Sequence, residues 1–274
     1  MRLATLRLPG RTAAARIDGE TATELDYDDV GALLRTENWS AVAATTEGTV
    51  HPMDTAQLAP VIPRPGKVFC VGLNYRHHIL EMGRELPEHP TLFAKYPEAL
   101  IGSHDDIALP PESDAVDWEG ELAVVVGQRV RRADVDTARA AIAGYTILND
   151  VTTRDWQYRT LQWLQGKTFE ATTPFGPALV TGDEFPTGAA LSTQLDGETV
   201  QQADTDDLVF PPAQLVAYIS TICTLAPGDV IATGTPGGVG HARTPPRYLQ
   251  PGQTLTTSID GLGQLSNTAV AEKT

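Results

Sequence analysis

Runs of strand-forming residues dominate the chain beyond residue 66, and helical patterns do not alternate with them regularly. Hairpins are predicted at Asp196-Gly197 and around residues 260–263, because such turns join alternating runs. Doubly wound sheets and TIM barrels require regular strand–helix alternation. The pattern therefore predicts a mixed α/β, β-rich fold that is closed or rolled. Its main strands are expected over residues 67–72, 117–127, 144–152, 176–181 and 229–233.

Only a few helices are predicted. One starts near Asp28, one follows Asp134 as its N-cap, and one opens at Pro211-Pro212. The stiff, turn-rich stretch of residues 60–66 is interpreted as a domain boundary. We expect a small N-terminal domain over residues 1–62 and a catalytic domain over residues 63–274.

The chain has 274 residues and a formal net charge of −15. Such an acidic chain repels nucleic acid and anionic membranes, so neither is expected as a partner. The longest apolar run, residues 122–126, is too short to span a bilayer, and no signal-peptide pattern opens the chain. A cytoplasmic protein is expected. Cys70 and Cys223 lie in apolar runs, which favours buried, reduced thiols.

Two glutamates open the most apolar strand. In a strand, Glu119 and Glu121 share one face, where they repel each other unless a cation lies between them. Carboxylate oxygens suit a hard divalent ion. The alternative is the solvated face of an edge strand. Asp150, at the end of the next apolar run, is either a third ligand or the cap of a helix near Thr153.

Three further segments carry candidate groups. His78 and Glu81 lie three residues apart, so on a helix the carboxylate can orient the imidazole as a general base; the alternative is a surface ion pair. Lys167 is placed to bind a carboxylate or an oxyanion. The Gly-rich residues 234–240 lack phosphate-binding and dinucleotide-binding patterns, but with Thr235 they suit a carboxylate.

In chain order, six segments resemble the signature series of the fumarylacetoacetate hydrolase family. They are GLNYRHHILE, LFAKYPEALIG, DWEGELAVVVG, GYTILNDVTTRDWQ, WLQGKTFEATTPFGP and PGDVIATGTPGGVG. The resemblance covers roughly residues 65–270. It implies a fumarylacetoacetate hydrolase-like β-roll, a homodimer, and Mg²⁺ or Mn²⁺ as cofactor.

The resemblance also implies roles for individual residues. The implied metal ligands are Glu119, Glu121 and Asp150. The implied catalytic residues are the dyad His78–Glu81 together with Lys167. The implied substrate-binding side chains are Lys95, Arg154, Gln157 and Thr235.

The expected activity is metal-dependent hydrolysis of the carbon–carbon bond of a 2,4-dioxo acid, such as an acylpyruvate or fumarylpyruvate. One alternative uses the same site to decarboxylate, isomerise or tautomerise a related diacid, of the oxaloacetate or 2-hydroxyhepta-2,4-diene-1,7-dioate type. Either way the expected partner is a small 2-oxo acid. A second alternative, of another class, is a non-catalytic carboxylate-binding protein; the complete set of ligands and dyad residues argues against it.

Overall fold

The computed structural model describes residues 1–81, 83–186 and 188–273. Most of the secondary structure in this part of the chain is strand, which forms one long mixed sheet, a five-stranded sheet and a two-stranded ribbon. The strands are β1 Arg2–Leu8, β2 Arg11–Asp18, β3 Thr21–Glu24, β4 Val50–Pro52, β5 Val68–Gly72, β6 Thr91–Lys95, β7 Leu100–Ile101, β8 Ile107–Leu109, β9 Val116–Asp117, β10 Gly120–Val126, β11 Ile142–Asn149, β12 Thr152–Thr153, β13 Thr173–Thr181, β14 Ala190–Leu195, β15 Glu198–Asp204, β16 Val230–Ala232, β17 Thr254–Ile259 and β18 Gly263–Ala271.

The long sheet has the order β4-β3-β2-β1-β13-β11-β10-β16-β5-β6, with β7 beside β13. Its neighbouring strands run antiparallel except for the pairs β16–β5 and β13–β7. The second sheet has the order β15-β14-β17-β18-β8 and packs over the centre of the first. Leu122, Ile147, Leu191, Ile259 and Leu265 belong to the apolar cluster between the two sheets. The predicted mixed, β-rich α/β fold is confirmed.

The helices are short and cover other parts of the long sheet. The helix α7 (Pro212–Ile222) packs with α4 (Val135–Ala140). Leu215, Val216 and Ile219 of α7 share an apolar cluster with Val124 and Val126 of β10. No helix among the described residues is long and apolar enough to cross a membrane. The helices are α1 Val30–Leu34, α2 Trp39–Thr45, α3 Arg76–Glu81, α4 Val135–Ala140, α5 Arg154–Gln157, α6 Leu164–Lys167 and α7 Pro212–Ile222.

Strand β10 is buried along its whole length, because apolar clusters cover both of its faces. The single strand predicted over residues 117–127 is wrong in one respect. Asp117 ends β9, which pairs with β12, and Trp118 and Glu119 lie between β9 and β10. The chain turns out of the sheet here because the Asp117 carboxylate accepts hydrogen bonds from the backbone amides of Trp118 and Gly240.

The N-terminal strands extend the long sheet. Strand β1 pairs with β13 through Arg2 opposite Val180 and Leu3 opposite Leu179. Leu3 and Leu33 also share an apolar cluster with Cys70 and Val125. The first 62 residues therefore contribute to the same core as the central strands, and the division at residue 62 stays a prediction about independent folding.

Candidate metal centre and active site

Three carboxylates converge where β10 and β11 lie side by side. Gly120 pairs with Asn149 across the two strands, which places Glu119 and Glu121 next to Asp150. Each carboxylate brings one oxygen within 4.8 Å of the other two, and all three side chains are buried. The structure therefore brings together the three residues that the sequence nominates as metal ligands. The alternative of a solvated strand edge is wrong.

Charge in this cluster is only partly balanced by the protein. Burial raises the pKa of Glu121 well above its ordinary value, and the neighbouring charges of Asp150 and Glu119 raise it further. The backbone amide of Gly234 donates to Glu121 at 2.7 Å, which does not offset them. An all-oxygen cluster in which the Glu121 carboxylate forms no ion pair among the described residues suits a hard divalent cation. The residues present thus fit such an ion.

Two buried lysines hold Asp150. Lys167 Nζ lies 2.8 Å from Asp150 Oδ2 and 2.7 Å from Glu119 Oε2. Lys95 Nζ donates to Asp150 Oδ1 at 2.6 Å and to the carbonyl of Val151 at 3.0 Å. Burial acts to raise the pKa of Asp150, but the two ammonium groups outweigh it and hold that pKa below its ordinary value. Because its carboxylate is occupied in this way, Asp150 does not cap a helix.

Arg154 fixes the second oxygen of Glu119. Its Nη1 lies 2.7 Å from Glu119 Oε1, and its Nε donates to Asp117 Oδ2 at 2.8 Å. Asp117 also accepts from the amides of Gly240 at 2.7 Å and His241 at 3.0 Å. Asp117 therefore ties the Gly-rich loop to the arginine that orients Glu119. Sequence reasoning missed it, although an acid beside Trp118 at the start of an apolar run was a signal.

A cavity of about 430 Å³ opens above the cluster. It is lined by most of the side chains that the sequence predicts for the site, whereas Asp150, Lys95 and Glu81 are absent from its lining among the described residues. Lys95 is buried behind Asp150, so this placement does not support direct contact between Lys95 and substrate. The lining residues are Val71, Gly72, Leu73, His78, Arg84, Phe93, Glu119, Glu121, Arg154, Gln157, Tyr158, Trp163, Lys167, Thr235, Val239, His241 and Ala242.

Thr235 reaches the cavity, but its hydroxyl group is already engaged. Its Oγ1 donates to the carbonyl of Gly120 at 3.0 Å and accepts from Gln201 Nε2 at 2.9 Å. The hydroxyl proton is thus donated to the backbone. The sequence predicted instead that this hydroxyl group binds the substrate. Gln201, which sequence reasoning missed, also accepts from the amide of Gly120 at 2.9 Å. A Cβ at Gly120 would lie 2.3 Å from Thr193 Oγ1, so only glycine fits there.

His78 faces the same cavity from α3. Glu81 is exposed, and among the described residues no hydrogen bond joins its carboxylate to the imidazole. The expected hydrogen bond within the dyad is therefore wrong, while the catalytic role of the pair stays a prediction. Burial lowers the pKa of His78 below its ordinary value; Glu81 and Glu119 oppose this shift, and Arg84 adds to it. This lowered pKa favours the neutral imidazole, the form that accepts a proton.

The position of α3 is set from two sides. Asp207 accepts from the amide of His77 at 3.0 Å and contacts the imidazole of His77, so it holds the first turn of the helix. On the other side, a Cβ at Gly237 would lie 3.0 Å from His78 Nδ1. Glycine at this position lets the imidazole approach the Gly-rich loop closely.

Together, the fold and the cavity define a mixed, β-rich α/β protein in which a buried group of three carboxylates could hold a cation beside a cavity of ligand size. The family model described as fumarylacetoacetate (FAA) hydrolase C-terminal matches residues 67–270. The mitochondrial oxaloacetate tautomerase Fahd2a of Rattus norvegicus is 45% identical over 216 residues, which are 78% of this chain and 69% of that protein. The chain therefore belongs to the fumarylacetoacetate hydrolase family.

Solved structures agree with this assignment. A fumarylacetoacetate hydrolase from Exiguobacterium antarcticum superposes with a TM-score of 0.85 at 32% identity, over 99% of this chain and 100% of that one. A 5-carboxymethyl-2-hydroxymuconate delta-isomerase from Mycobacterium smegmatis superposes with a TM-score of 0.83 at 32% identity, over the same shares of the two chains. The predicted family and its fold are confirmed.

Proposed function

We propose that this protein is a tautomerase or isomerase of a small 2-oxo diacid of the oxaloacetate type, dependent on Mg²⁺ or Mn²⁺. The observation that carries the proposal is that His78 faces the cavity lined by Glu119 and Glu121, the two carboxylates that cluster with the buried Asp150. Such an arrangement provides a base that can move the C3 proton of a 2-oxo acid. It also provides a site for a cation that can stabilise the negative charge of the enolate, and tautomerisation requires both. The names of the rat relative and of the Mycobacterium smegmatis isomerase support the same choice.

The chemistry follows from the side chains in the cavity. Held by the three carboxylates, a divalent ion would polarise the 2-oxo group of the substrate and favour negative charge on its oxygen. His78 accepts the proton from C3, and the C–H electron pair moves into the C2–C3 bond. The protonated His78 then returns this proton to the 2-oxo oxygen, directly or by exchange with solvent, which yields the enol and restores the neutral imidazole; the reverse sequence gives the ketone. Arg154 and Lys167 keep Glu119 in place throughout.

Hydrolysis of an acylpyruvate, the activity expected first from the sequence, makes a further demand on the site. His78 would have to activate a water molecule for attack at C4, and an orienting carboxylate normally assists such a base. In the structure Glu81 is not hydrogen-bonded to His78. Hydrolysis therefore stays a prediction and is the competing outcome of the test.

The test follows the ultraviolet absorbance of freshly dissolved enol-oxaloacetate in the presence of Mg²⁺. We expect the protein to accelerate conversion to the ketone over Mg²⁺ alone, and EDTA to abolish that acceleration. His78→Gln should lower kcat by about 10²–10⁴-fold, the usual contribution of a general base. Glu81→Gln removes the carboxylate of the predicted dyad and should retain most of the activity, because Glu81 is exposed and is not hydrogen-bonded to His78.

An acylpyruvate panel completes the test. Cleavage of acylpyruvates without any acceleration of oxaloacetate tautomerisation would overturn the proposal in favour of the hydrolase. Loss of oxaloacetate with production of carbon dioxide would instead identify a decarboxylase.

Assembly and location are proposed on the resemblance and on composition alone. A homodimer in the cytoplasm, without nucleic-acid or membrane partners, stays the prediction from the sequence. The rat relative carries a mitochondrial name, so cell fractionation in the source organism is the relevant measurement.

A further inference from the structure

Among the described residues that line the cavity, one cationic side chain forms no ion pair with a carboxylate. Lys167 and Arg154 both line the cavity, but their charged groups are bound to the cluster and to Asp117. His241 is engaged with the hydroxyl of Tyr248 at 2.9 Å. Arg84 also lines the cavity, and among the described residues its guanidinium forms no ion pair and no hydrogen bond. It is the cation that remains available to a ligand.

Arg84 is attached to the element that carries the proposed base. Its backbone amide donates to the carbonyl of Ile79 in α3 at 3.2 Å, which closes the turn after the helix. Its charge is close enough to contribute to the lowered pKa of His78. Arg84 and His78 therefore approach a ligand from the same side, with the carboxylate cluster at the cavity floor.

The balance between buried carboxylates and buried cations around the cavity indicates which ligand Arg84 can bind. The buried carboxylates of Glu119, Glu121, Asp150 and Asp117 exceed the buried cations Lys95, Lys167 and Arg154 by one charge. A divalent ion would turn this deficit into an excess of one positive charge, which a single carboxylate neutralises. A ligand with a second carboxylate needs one more cation, because an unpaired charge in a partly buried site is unfavourable.

We propose that Arg84 binds the distal carboxylate of the substrate, so that the cavity selects diacids over monoacids. The proposal rests on the proposed function in one respect, since it assumes that the other end of the substrate occupies the carboxylate cluster. The 430 Å³ cavity lies within the range of about 300–1,000 Å³ found for ligand pockets, which leaves room for diacids longer than oxaloacetate. Arg84 is thus a specificity-determining residue.

Binding of unreactive ligands tests this without turnover. L-malate and L-lactate are both 2-hydroxy acids and differ in the distal carboxylate. Calorimetric titration of the Mg²⁺-loaded protein should show that malate binds about tenfold more tightly, a modest ratio because Arg84 is exposed to solvent. In Arg84→Gln this preference should disappear, and in Arg84→Lys part of it should remain. Arg76→Gln removes the same charge from α3 outside the cavity lining and should leave the preference unchanged.

The outcomes separate this inference from the proposed function. Equal affinity for malate and lactate in the unmodified protein, or a malate preference that survives Arg84→Gln, overturns the role of Arg84. With oxaloacetate, Arg84→Gln should raise KM about tenfold and change kcat little. If the protein does not tautomerise oxaloacetate but loses its malate preference in Arg84→Gln, the proposed function fails while the diacid site stands. If the protein tautomerises oxaloacetate and Arg84→Gln leaves KM unaltered, the proposed function stands and the role of Arg84 fails.

Discussion

At the scale of single residues, the site is a network of buried charges whose members depend on one another. Asp150 receives a lysine on each oxygen, and Glu119 receives Lys167 on one oxygen and Arg154 on the other. Removing one partner from such a pair leaves an uncompensated buried charge, which is more damaging than losing a surface ion pair. Substitutions in this network should therefore change stability as well as activity, and the change should depend on bound metal.

Lys167→Met should destabilise the metal-free protein by about 3–5 kcal/mol, because it leaves Glu119 and Asp150 facing each other in a buried site. A divalent ion neutralises the same carboxylates, so the loss should be smaller with Mg²⁺ than with EDTA. Urea denaturation under both conditions measures this difference. Lys67→Met, which removes the partner of Asp229 away from the cavity, is the control and should show the same loss in both conditions. Equal losses for Lys167→Met would contradict the prediction.

Glu121→Gln, unlike Lys167→Met, should stabilise the metal-free protein. A carboxyl group whose pKa is raised by folding destabilises the fold once the pH exceeds its unfolded value of about 4.5, and the penalty grows until the folded value is passed. The glutamine carries no charge and can still accept from the Gly234 amide. In EDTA, its melting temperature should therefore exceed that of the unmodified protein by more at pH 8 than at pH 5.

With metal, the melting temperature of the unmodified protein should exceed that of Glu121→Gln. Mg²⁺ should raise the melting temperature of the unmodified protein, because binding to the folded state stabilises it, and should have little effect on Glu121→Gln. Identical Mg²⁺-induced shifts would remove Glu121 from the ligand set.

Some residues of the site could be predicted from the sequence and others could not. Glu119, Glu121 and Asp150 were identifiable because carboxylates next to apolar strands require an explanation. The partner of Lys95 could not be identified in the same way, since 55 residues separate Lys95 from Asp150 and no local sequence pattern reports an ion pair between such distant segments. Thr235 was assigned to substrate because its neighbours look like an anion cradle. Its actual acceptor, the carbonyl of Gly120, is 115 residues away.

At the scale of elements, α3 depends on a distant segment for its position. The backbone of Arg76 donates to the carbonyl of Asp207, and the Asn74 side chain exchanges hydrogen bonds with the backbone of Phe210. The helix that carries His78 has only six residues, too few to be stable alone. Its geometry relative to the carboxylate cluster is therefore supplied by residues 207–210.

Asp207→Ala should loosen α3 without disturbing the metal site. Loss of the side-chain acceptor for the His77 amide costs about 1 kcal/mol, as for a helix N-cap. Amide hydrogen exchange over residues 76–81 should accelerate and kcat should fall, whereas Mn²⁺ affinity measured by calorimetry should not change. Asp206→Ala, at the exposed neighbouring position, should change none of these. Unchanged exchange in Asp207→Ala would show that the helix is held by other contacts.

Local turn and cap signals were the most reliable guide to the elements. The Asp196-Gly197 hairpin joins β14 to β15, the hairpin at residues 260–263 joins β17 to β18, and Asp134 caps α4 by accepting from the amide of Thr137. All three predictions are confirmed because the signal and the structure it specifies lie within a few residues of each other. The break between β9 and β10 was missed because it depends on Gly240, which is distant in sequence.

At the scale of the whole molecule, the N-terminal segment closes one side of the central sheet. Strand β1 covers an edge of β13, and α1 places Val30, Leu33 and Leu34 in the cluster below β10. An uncovered strand edge with an adjoining apolar surface promotes aggregation. The first 62 residues thus protect the sheet from which the carboxylate cluster projects.

Removal of residues 1–62 should therefore give a protein that aggregates and unfolds without a cooperative transition. Size-exclusion chromatography and thermal denaturation monitored by circular dichroism measure these properties. A soluble, monodisperse fragment of residues 63–274 that still binds Mn²⁺ would instead establish the independent catalytic domain expected from the sequence.

The cavity draws its groups from two kinds of scaffold. Glu121 projects from a strand buried on both faces, and Gly120 beside it has no room for another atom. The opposite walls come from the turn after α3, which carries Arg84, and from the segment holding Tyr158 and Trp163 between two short helices. Variation can therefore accumulate in those walls while the strands stay fixed. Such a division makes substrate range evolvable separately from metal chemistry, and it marks the two wall segments as the positions to randomise when a new substrate is sought.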